Sequence, residues 1–374
     1  MGASASLEEA PQSVDPSPDS FVSTAVLFAH KFTTTHPLFQ WRSHDNVARK
    51  MSSRRDKLVF LVDFSDLSGN PTGKVLLSVV PATPFVKEVG TYKLKALLVS
   101  LRYPCLVPTL DVDVSKHCLL VAQPLVASGS LKDLIYSQGT LPAPYGCSYT
   151  TRRVNGRGLP LLHLSHYGHH VLQALLFLRS IGFVCEHLKS SNVLVDGGIA
   201  RISDVFNNIA SLERNAEAQR WTLPLEAFAP VDILLFGHLL FEMVFGRELN
   251  ATYPSDSDLM AAPLDVADVL RAIFLAETPP AIPDLMSMAL FAGVDCISAD
   301  TKYLKSRLDP SMKATLKSAM QSNESRRQAY VHALEAKTKE DNDESPQAPS
   351  HIRKKRTKVT TRVSYRRGTS MAAA

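Results

Sequence analysis

The first part of the chain alternates short apolar runs with turn-forming residues, which is the pattern of a β-sheet. Two β-type runs, at 57–64 and 73–80, are separated by the sequence Ser-Gly-Asn-Pro-Thr-Gly. Leucines at helical spacing predict a helix over 91–101. Two further apolar runs, at 106–114 and 117–125, predict a hairpin. Together these patterns predict a mainly antiparallel sheet with one helix.

The pattern changes to a helical period after Gly129. A helix is expected over 130–138, with Ser130 as its N-cap, and the residues of 139–160 are expected to form a loop. Longer helical patterns follow at 162–181, 229–246, 264–277 and 311–337. A sheet followed by helices predicts an α+β fold with two lobes, a small antiparallel β N-lobe and a larger helical C-lobe.

The same patterns divide the chain into four segments. In order, we expect a disordered N-terminus, an extension of uncertain structure, a folded domain, and a helical extension that ends in a disordered basic tail: 1–20, 21–54, 55–320 and 321–374. Within the folded domain, the N-lobe is expected at about 55–126 and the C-lobe at about 127–320.

Composition narrows the class of protein. The 374 residues are 45% hydrophobic and 21% charged, which is typical of a globular protein. The five cysteines are widely spaced and form no C-x-x-C pair, so neither a disulfide framework nor a zinc site is expected. A reducing, cytoplasmic compartment fits this pattern. The longest apolar stretch, 231–245, includes Asp232 and Glu242 and therefore predicts a buried helix and not a membrane span.

Residues 185–206 carry the candidate chemistry. Their sequence, CEHLKSSNVLVDGGIARISDVF, resembles the catalytic loop and the metal-binding loop of protein kinases, H-R-D-L-K-x-x-N and D-F-G. The run VDILLFGHLLFEMVFGR at 231–247 resembles the buried helix of the same fold. The strand after the regulatory helix is matched by the run LRYPCLVPTLDV, and the hinge is matched by the run QPLVASGSLKDLI. These segments occur in the order and spacing of a kinase domain, so the resemblance implies a bilobal protein-kinase-like fold.

The resemblance assigns roles to individual residues. His187 stands where the catalytic aspartate belongs, so the catalytic base is expected to be lost. Lys189, Asn192 and Asp204 occupy positions that contact phosphate and magnesium in active kinases, with Asn192 and Asp204 as the metal ligands. They would either bind a nucleotide weakly or serve as hydrogen-bonding braces of the loop. Asp232 is expected to hold the catalytic-loop backbone.

Other parts of the phosphate-binding apparatus are missing from the sequence. No glycine occurs between Gly2 and Gly69, so a glycine-rich loop is not expected. The position of the strand lysine falls on Ser78 or Val79, and that of the regulatory-helix glutamate falls near Leu94. Lys74, Lys93 and Lys95 are interpreted as solvated surface lysines, with a displaced cation from one of them as the alternative.

Glu186 replaces a further residue of the kinase pattern. It stands at the position of the arginine that usually pairs with a phosphorylated activation segment. Control of the domain by phosphorylation of that segment is therefore expected to be missing.

A narrower resemblance is carried by GSLKDLIY (129–136), FVCEHLKSSNVLVDG (183–197), the FGHLLFEM run and IPDLMSMALF (282–291). These segments are similar to the family of the PX-domain-containing protein-kinase-like protein and the slowpoke-binding protein, over roughly 55–335. The resemblance implies an adaptor at membranes, in receptor or channel trafficking. A PX domain is not expected before residue 55, and the C-terminal tail has no clear actin-binding motif.

The two ends suggest contacts with membranes or kinases. The N-terminus matches a myristoylation pattern at Gly2. The run 351–367 is basic and has no acid, so it could bind an anionic membrane surface, and its Arg-Lys-Lys-Arg sequence could act as a nuclear import signal. Nucleic acid is not an expected partner. Ser364 and Thr369 lie in contexts that suit a basophilic kinase.

These patterns leave three hypotheses. The first is a catalytically impaired kinase-like scaffold that needs no cofactor and binds proteins of the channel, receptor or phosphoserine-binding adaptor type. The second is an atypical active Ser/Thr kinase that retains low affinity for ATP and Mg²⁺ through Asn192 and Asp204. The third is a membrane-surface or nucleic-acid-binding protein that acts through its basic tail.

Overall fold

The computed structural model describes residues 18–41, 57–66, 68–136, 156–214, 216–297 and 308–343. Its first region is a five-stranded antiparallel sheet in the strand order β1-β2-β3-β5-β4. The strands are β1 (Phe39–Gln40), β2 (Leu58–Ser65), β3 (Pro71–Pro81), β4 (Asp111–Val114) and β5 (Cys118–Pro124). Helix α1 (Pro18–Thr35) precedes the sheet, and helix α2 (Pro84–Ser100) follows β3.

Alternation along the strands gives the sheet two apolar faces. On one face, α1 contributes Ala25, Ala29 and Phe32 to a buried cluster with alternate residues of β2, β3 and β5. On the other face, α2 buries its leucines with Val80 against the rest of the domain. Both faces of this small sheet are therefore covered by helices.

The N-lobe starts earlier than the sequence predicts. Strand β1 pairs with β2 through Phe39 and Phe64, and α1 begins at Pro18, inside the segment expected to be disordered. The sheet therefore includes residues before 55, which the sequence analysis placed in an extension outside the domain.

The second region is helical. Its helices are α3 (Leu131–Tyr136), α4 (Leu161–Ser180), α5 (Phe206–Ile209), α6 (Ala216–Thr222), α7 (Val231–Phe245), α8 (Asp256–Ala261), α9 (Leu264–Phe274), α10 (Ile282–Ser287), α11 (Ala289–Ala292) and α12 (Pro310–Asp343). A hairpin of β6 (Val193–Asp196) and β7 (Ile199–Ile202) lies between α4 and α5. Helix α7 is the centre of the C-lobe core, because twelve of its residues are buried, as an all-round apolar helix should be. The α+β bilobal prediction is confirmed.

The β6–β7 hairpin joins the two lobes. Ile202 exchanges backbone hydrogen bonds with the segment before β4: its N–H donates to Cys105 O at 2.9 Å, and its carbonyl accepts from Val107 N at 2.9 Å. Val195 N donates to Gly129 O at 3.0 Å, next to the start of α3. The hairpin ends are therefore fixed from both sides, which positions the residues just before β6 and just after β7.

The chain divides into two compact units, at 1–325 and 326–374. In the first unit, the initial turns of α12 bury one stripe that includes Leu316 and Ala319. In the second unit, the helix continues to Asp343.

Candidate active site

The candidate site lies where the β6–β7 hairpin begins and ends. Val193 pairs with Ile202, so Asn192 and Ser203 are neighbours at the open end of the hairpin. Ser203 donates to Asn192 O through both its backbone N–H, at 2.8 Å, and its Oγ, at 3.1 Å. Asp204 follows directly. The structure thus brings the two expected metal ligands together.

Asn192 is held by the loop before it. The residue is 6% exposed, and its Nδ2 donates to the backbone carbonyl of His187 at 2.9 Å. Asn192 N also donates to Lys189 O at 2.9 Å, closing a short 3₁₀ turn. The Asn192 amide nitrogen therefore braces the loop, and the Oδ1 on the same side chain is the atom that a metal would use.

The carboxylate of Asp204 accepts a hydrogen bond from Lys57. The Lys57 Nζ lies 2.6 Å from Asp204 Oδ2, and the two side chains are 7% and 13% exposed. The same Nζ lies 5.3 Å from the ring centroid of Phe206. Asp204 has a φ of +57°, in the left-handed region that aspartate tolerates better than most residues. A buried lysine therefore neutralises the expected metal ligand.

Lys57 supplies a cation where β3 has no lysine at the kinase position, which falls on Ser78 or Val79. Leu58, Phe60 and Val62 belong to the cluster under α1, so alternation puts Lys57 and Val59 on the opposite face of β2. Val59 is directly opposite Ser78 on β3. Ser78, which stands at one of the two positions expected for the strand lysine, therefore shares its face with Lys57 on the next strand. The cation reaches the site from β2.

The lysines suggested by the sequence lie elsewhere. Lys95 Nζ contacts Asp111 Oδ1 at 2.6 Å, Lys74 is opposite Asp63 at the far end of the β2–β3 pair, and Lys93 is exposed. All three are exposed, which agrees with their interpretation as surface lysines, and the cation at Asp204 is Lys57. Lys57 is the functional candidate that the sequence analysis missed, and its signal was a charged residue at the start of an otherwise apolar strand.

The regulatory-helix position is apolar in the structure. Leu94 is fully buried in α2, among the leucines that pack against the core. An aliphatic side chain has no atom that can pair with an ammonium group. Leu94 therefore cannot form the ion pair that a glutamate on α2 would form with a lysine. The carboxylate that pairs with Lys57 is that of Asp204.

Two acidic residues of α7 are buried and accept hydrogen bonds from other parts of the C-lobe. Asp232 is 0% exposed and accepts hydrogen bonds from Arg179 at the end of α4, including Nε to Oδ2 at 2.8 Å. This bond raises the pKa of the Arg179 guanidinium. Glu242 accepts from Ser190 Oγ at 2.8 Å, and burial raises the pKa of the Glu242 carboxyl. Ser190 is in the loop that carries Lys189, so Glu242 holds this loop from α7.

The loop that would carry a catalytic base has a different chemistry. Cys185 is buried, and burial raises the pKa of its thiol to about 12. Glu186, His187 and Lys189 are partly buried. The Glu186 Oε2 lies 3.8 Å from Arg214 Nε. A histidine, His187, therefore occupies the position where the kinase pattern has an aspartate.

Other predicted features cannot be placed. Gly2, Ser364, Thr369 and the basic run 351–367 lie outside the described residues. Among the described residues, no group of three or more His, Cys, Asp or Glu side chains is arranged to bind a metal ion. No helix in the described part of the chain is long and apolar enough to cross a bilayer.

A five-stranded antiparallel lobe, a helical lobe and a hairpin that presents Asn192 and Asp204 between them define a protein-kinase-like domain. The chain is a distant homologue of the slowpoke-binding protein of Drosophila melanogaster, 33% identical over 65% of this chain and 48% of the relative. The PX domain-containing protein kinase-like protein of Mus musculus is 28% identical, over 64% of this chain and 42% of the relative. A probable inactive serine/threonine-protein kinase of Dictyostelium discoideum is 32% identical, over 65% and 43%.

The homology confirms the family resemblance expected from the sequence. No family model matches the chain. The chain spans less than half of each of these three relatives, and the group includes proteins described as probable inactive kinases. The kinase-like class therefore rests on the whole arrangement of lobes, hairpin and loop together with these matches.

Proposed function

We propose that this protein is a kinase-like scaffold that binds partner proteins and does not transfer phosphate. The observation that carries the proposal is the ion pair between Lys57 and Asp204, at 2.6 Å, in a site whose catalytic-base position is His187. Phosphoryl transfer depends on positioned metal ions, a phosphate-binding lysine and a base for the nucleophile. Here the lysine and the metal-binding carboxylate neutralise each other, and the carboxylate base is replaced.

Binding of proteins is supported by the relatives. One of them is named for binding the slowpoke protein, and another is described as a probable inactive kinase. A fold that has lost its base but retains a large buried core keeps a rigid surface for partners. We propose partners of the channel, receptor or phosphoserine-binding adaptor type, bound by the C-lobe and the tails.

Location at a membrane surface is a second part of the proposal. The basic run 351–367 would be attracted to anionic lipids by about 1 kcal/mol for each lysine or arginine near the surface. A myristoyl group on Gly2 would anchor only marginally by itself, so the lipid and the basic run would act together. The protein would then reside in the cytoplasm and at its membranes.

The test of catalysis is a transfer assay with labelled ATP and Mg²⁺ on the purified protein, against the Asp204→Ala variant. We expect both proteins to give the same background incorporation into themselves and into generic protein substrates. Robust incorporation by the wild type that Asp204→Ala abolishes would overturn the proposal.

The proposed membrane location is tested by deleting 351–374 and measuring binding to vesicles that contain phosphatidylserine. Loss of binding on deletion supports the membrane location, and unchanged binding contradicts it.

Residual nucleotide binding is the second candidate function, and Lys57 favours it. Its Nζ approaches the same carboxylate that a magnesium ion would use, so it could contact nucleotide phosphates from β2. Asp204 and Asn192 supply the oxygen ligands that Mg²⁺ prefers, so these residues fit a magnesium nucleotide. An active Ser/Thr kinase would further require His187 to act as the base.

A thermal-shift titration with ATP, with and without Mg²⁺, tests this second candidate. Binding predicts a shift that needs Mg²⁺ and is lost in Lys57→Met, while the control Lys74→Met, on the exposed end of β3, keeps it. No shift at millimolar ATP would remove nucleotide binding and leave the scaffold proposal intact.

A further inference from the structure

The segment that follows Asp204 is buried along its first part. Every side chain of 206–212 is at most 7% exposed. In protein kinases the corresponding activation segment is commonly ordered by a phosphate that pairs with arginine side chains. Here the protein's own backbone and side chains pack the segment into the domain.

Backbone and amide contacts fix the first part of the segment. Asn208 Nδ2 donates to Val184 O at 3.0 Å, just before the catalytic loop. Thr83, the N-cap of α2, donates from Oγ1 to Ala210 O at 2.7 Å. Asn323 of α12 donates from Nδ2 to Asn208 O at 2.9 Å. Residues 206–212 are therefore tied to both lobes and to the first unit's part of α12.

Arg214 fixes the second part of the segment. Its Nη1 and Nη2 donate to the two carboxylate oxygens of Glu226, at 2.7 and 3.1 Å. Its Nε lies 3.8 Å from Glu186 Oε2 in the catalytic loop. The side chains of Arg214, Glu226 and Glu186 are 5%, 3% and 14% exposed. A bidentate pair with little access to water is one of the stronger charged contacts in proteins.

The sign of this contact is the reverse of the kinase pattern. The usual arrangement places an arginine in the catalytic loop and a negative phosphate in the activation segment. Here the catalytic loop carries the carboxylate of Glu186, and the activation segment carries the guanidinium of Arg214. The negative and the positive charge both belong to unmodified side chains, so the attraction exists as soon as the chain folds.

The segment also lacks an accessible hydroxyl. Between Asp204 and Pro230 the only serine, threonine or tyrosine residues are Ser211 and Thr222. They are 7% and 1% exposed, and Thr222 Oγ1 donates to Glu226 Oε1 at 2.8 Å. A kinase could reach neither hydroxyl without first opening the segment.

We propose that Arg214 replaces the regulatory phosphate of this segment and holds it permanently in one conformation. The segment 206–226 then keeps this conformation in every phosphorylation state of the protein. This inference concerns the regulation of the candidate site, and it holds whether or not the protein binds nucleotide or transfers phosphate.

Hydrogen–deuterium exchange on the phosphatase-treated full chain tests the proposal. We expect peptides from 206–226 to be protected in the wild type and to exchange at least about tenfold faster in Arg214→Ala, because that variant leaves Glu226 buried without its guanidinium. The β6–β7 hairpin at 193–202 should keep its wild-type exchange in both proteins. The matched control is Arg271→Ala, which removes a pair with Asp268 that is exposed.

Two results would overturn the proposal. One is exchange of 206–226 in the phosphatase-treated wild type as fast as in Arg214→Ala. The other is an Arg214→Ala variant that exchanges like Arg271→Ala. If Arg214→Ala does not fold, Glu186→Gln provides the second variant. This variant keeps the Arg214–Glu226 pair and removes only the charge contact to the catalytic loop. We expect 206–226 to exchange faster than in the wild type, by a smaller factor than the tenfold expected for Arg214→Ala. Unchanged exchange would contradict the proposal.

Discussion

The two sides of the candidate cleft differ in how they keep the kinase pattern. On the C-lobe side, Asn192 and Asp204 stand at the expected positions, and Asn192 makes a brace of short hydrogen bonds. On the N-lobe side, the position of the strand lysine falls on Ser78 or Val79 and that of the helix glutamate falls near Leu94, so neither charged residue of the pattern is present. A cation still reaches Asp204, but from β2. The difference teaches that internal hydrogen bonds of the C-lobe maintain the loop with Asn192 and Asp204, whereas the charged residues expected on the N-lobe side are replaced.

The largest expected effect is on the C-lobe anchor. Asp232→Ala leaves the Arg179 guanidinium beside a buried site without its carboxylate, and we expect a loss of about 3–5 kcal/mol in the free energy of unfolding. Urea denaturation measures it. The control Asp268→Ala removes an exposed pair with Arg271 and should cost less than about 1 kcal/mol. Equal losses in the two variants would contradict the view that the Asp232–Arg179 pair stabilises the C-lobe.

A somewhat smaller effect is expected from the pH dependence of α7. Burial lowers the pKa of His238 to about 4, and its Nε2 has no hydrogen-bond partner among the described residues. An unfolded histidine titrates near pH 6.5, so between about pH 6.5 and 4 the unfolded state binds a proton that the folded state does not. Stability contributed by neutral His238 is present above this window and is lost as the pH falls through it.

The size of that loss is about 3 kcal/mol across the window. Unfolding measured between pH 7 and 4 should therefore show a steeper fall for the wild type than for His238→Gln, which cannot titrate. His170, whose pKa burial also lowers to about 4, contributes to both proteins and drops out of the difference. Parallel pH profiles for the wild type and His238→Gln would refute the assignment.

The N-lobe cation is expected to matter less for stability. Lys57→Met removes the partner of Asp204, whose side chain retains 13% exposure, and we expect a loss of about 2 kcal/mol. The isosteric carboxylate change Asp204→Asn should cost a similar amount, and the double variant Lys57→Met/Asp204→Asn less than the sum of the two. Thermal unfolding of the four proteins measures the coupling. Strict additivity would show that the 2.6 Å contact contributes nothing.

Sequence patterns predict the parts of this molecule whose signals are local. The Asp-Gly-Gly turn between two β-type runs predicts the β6–β7 hairpin, and the apolar run with a central histidine predicts α7 as a buried helix. Strand β1 has two residues, too few to show any alternation. Helix α1 is mixed in polarity because only a narrow stripe with Ala25 and Ala29 is buried.

In the candidate site, too, sequence patterns predict only the residues whose signals are local. Asn192 and Asp204 are found by motif, since their spacing along the chain is that of the family. Lys57 cannot be found in that way, because it reaches Asp204 across 147 positions of the chain and from a strand that the motif does not include. The pairing of Val59 with Ser78 shows that Lys57 lies on the same face of the sheet as Ser78. This register between strands is seen only in the folded sheet.

Our central proposal is a kinase-like fold that keeps Asn192 and Asp204 in their loop and does not transfer phosphate. Its most direct test is transfer of labelled phosphate from Mg-ATP by the purified wild type, compared with Asp204→Ala under the same conditions. The account predicts equal background incorporation in the two proteins. Incorporation by the wild type that rises with time and disappears in Asp204→Ala would contradict it.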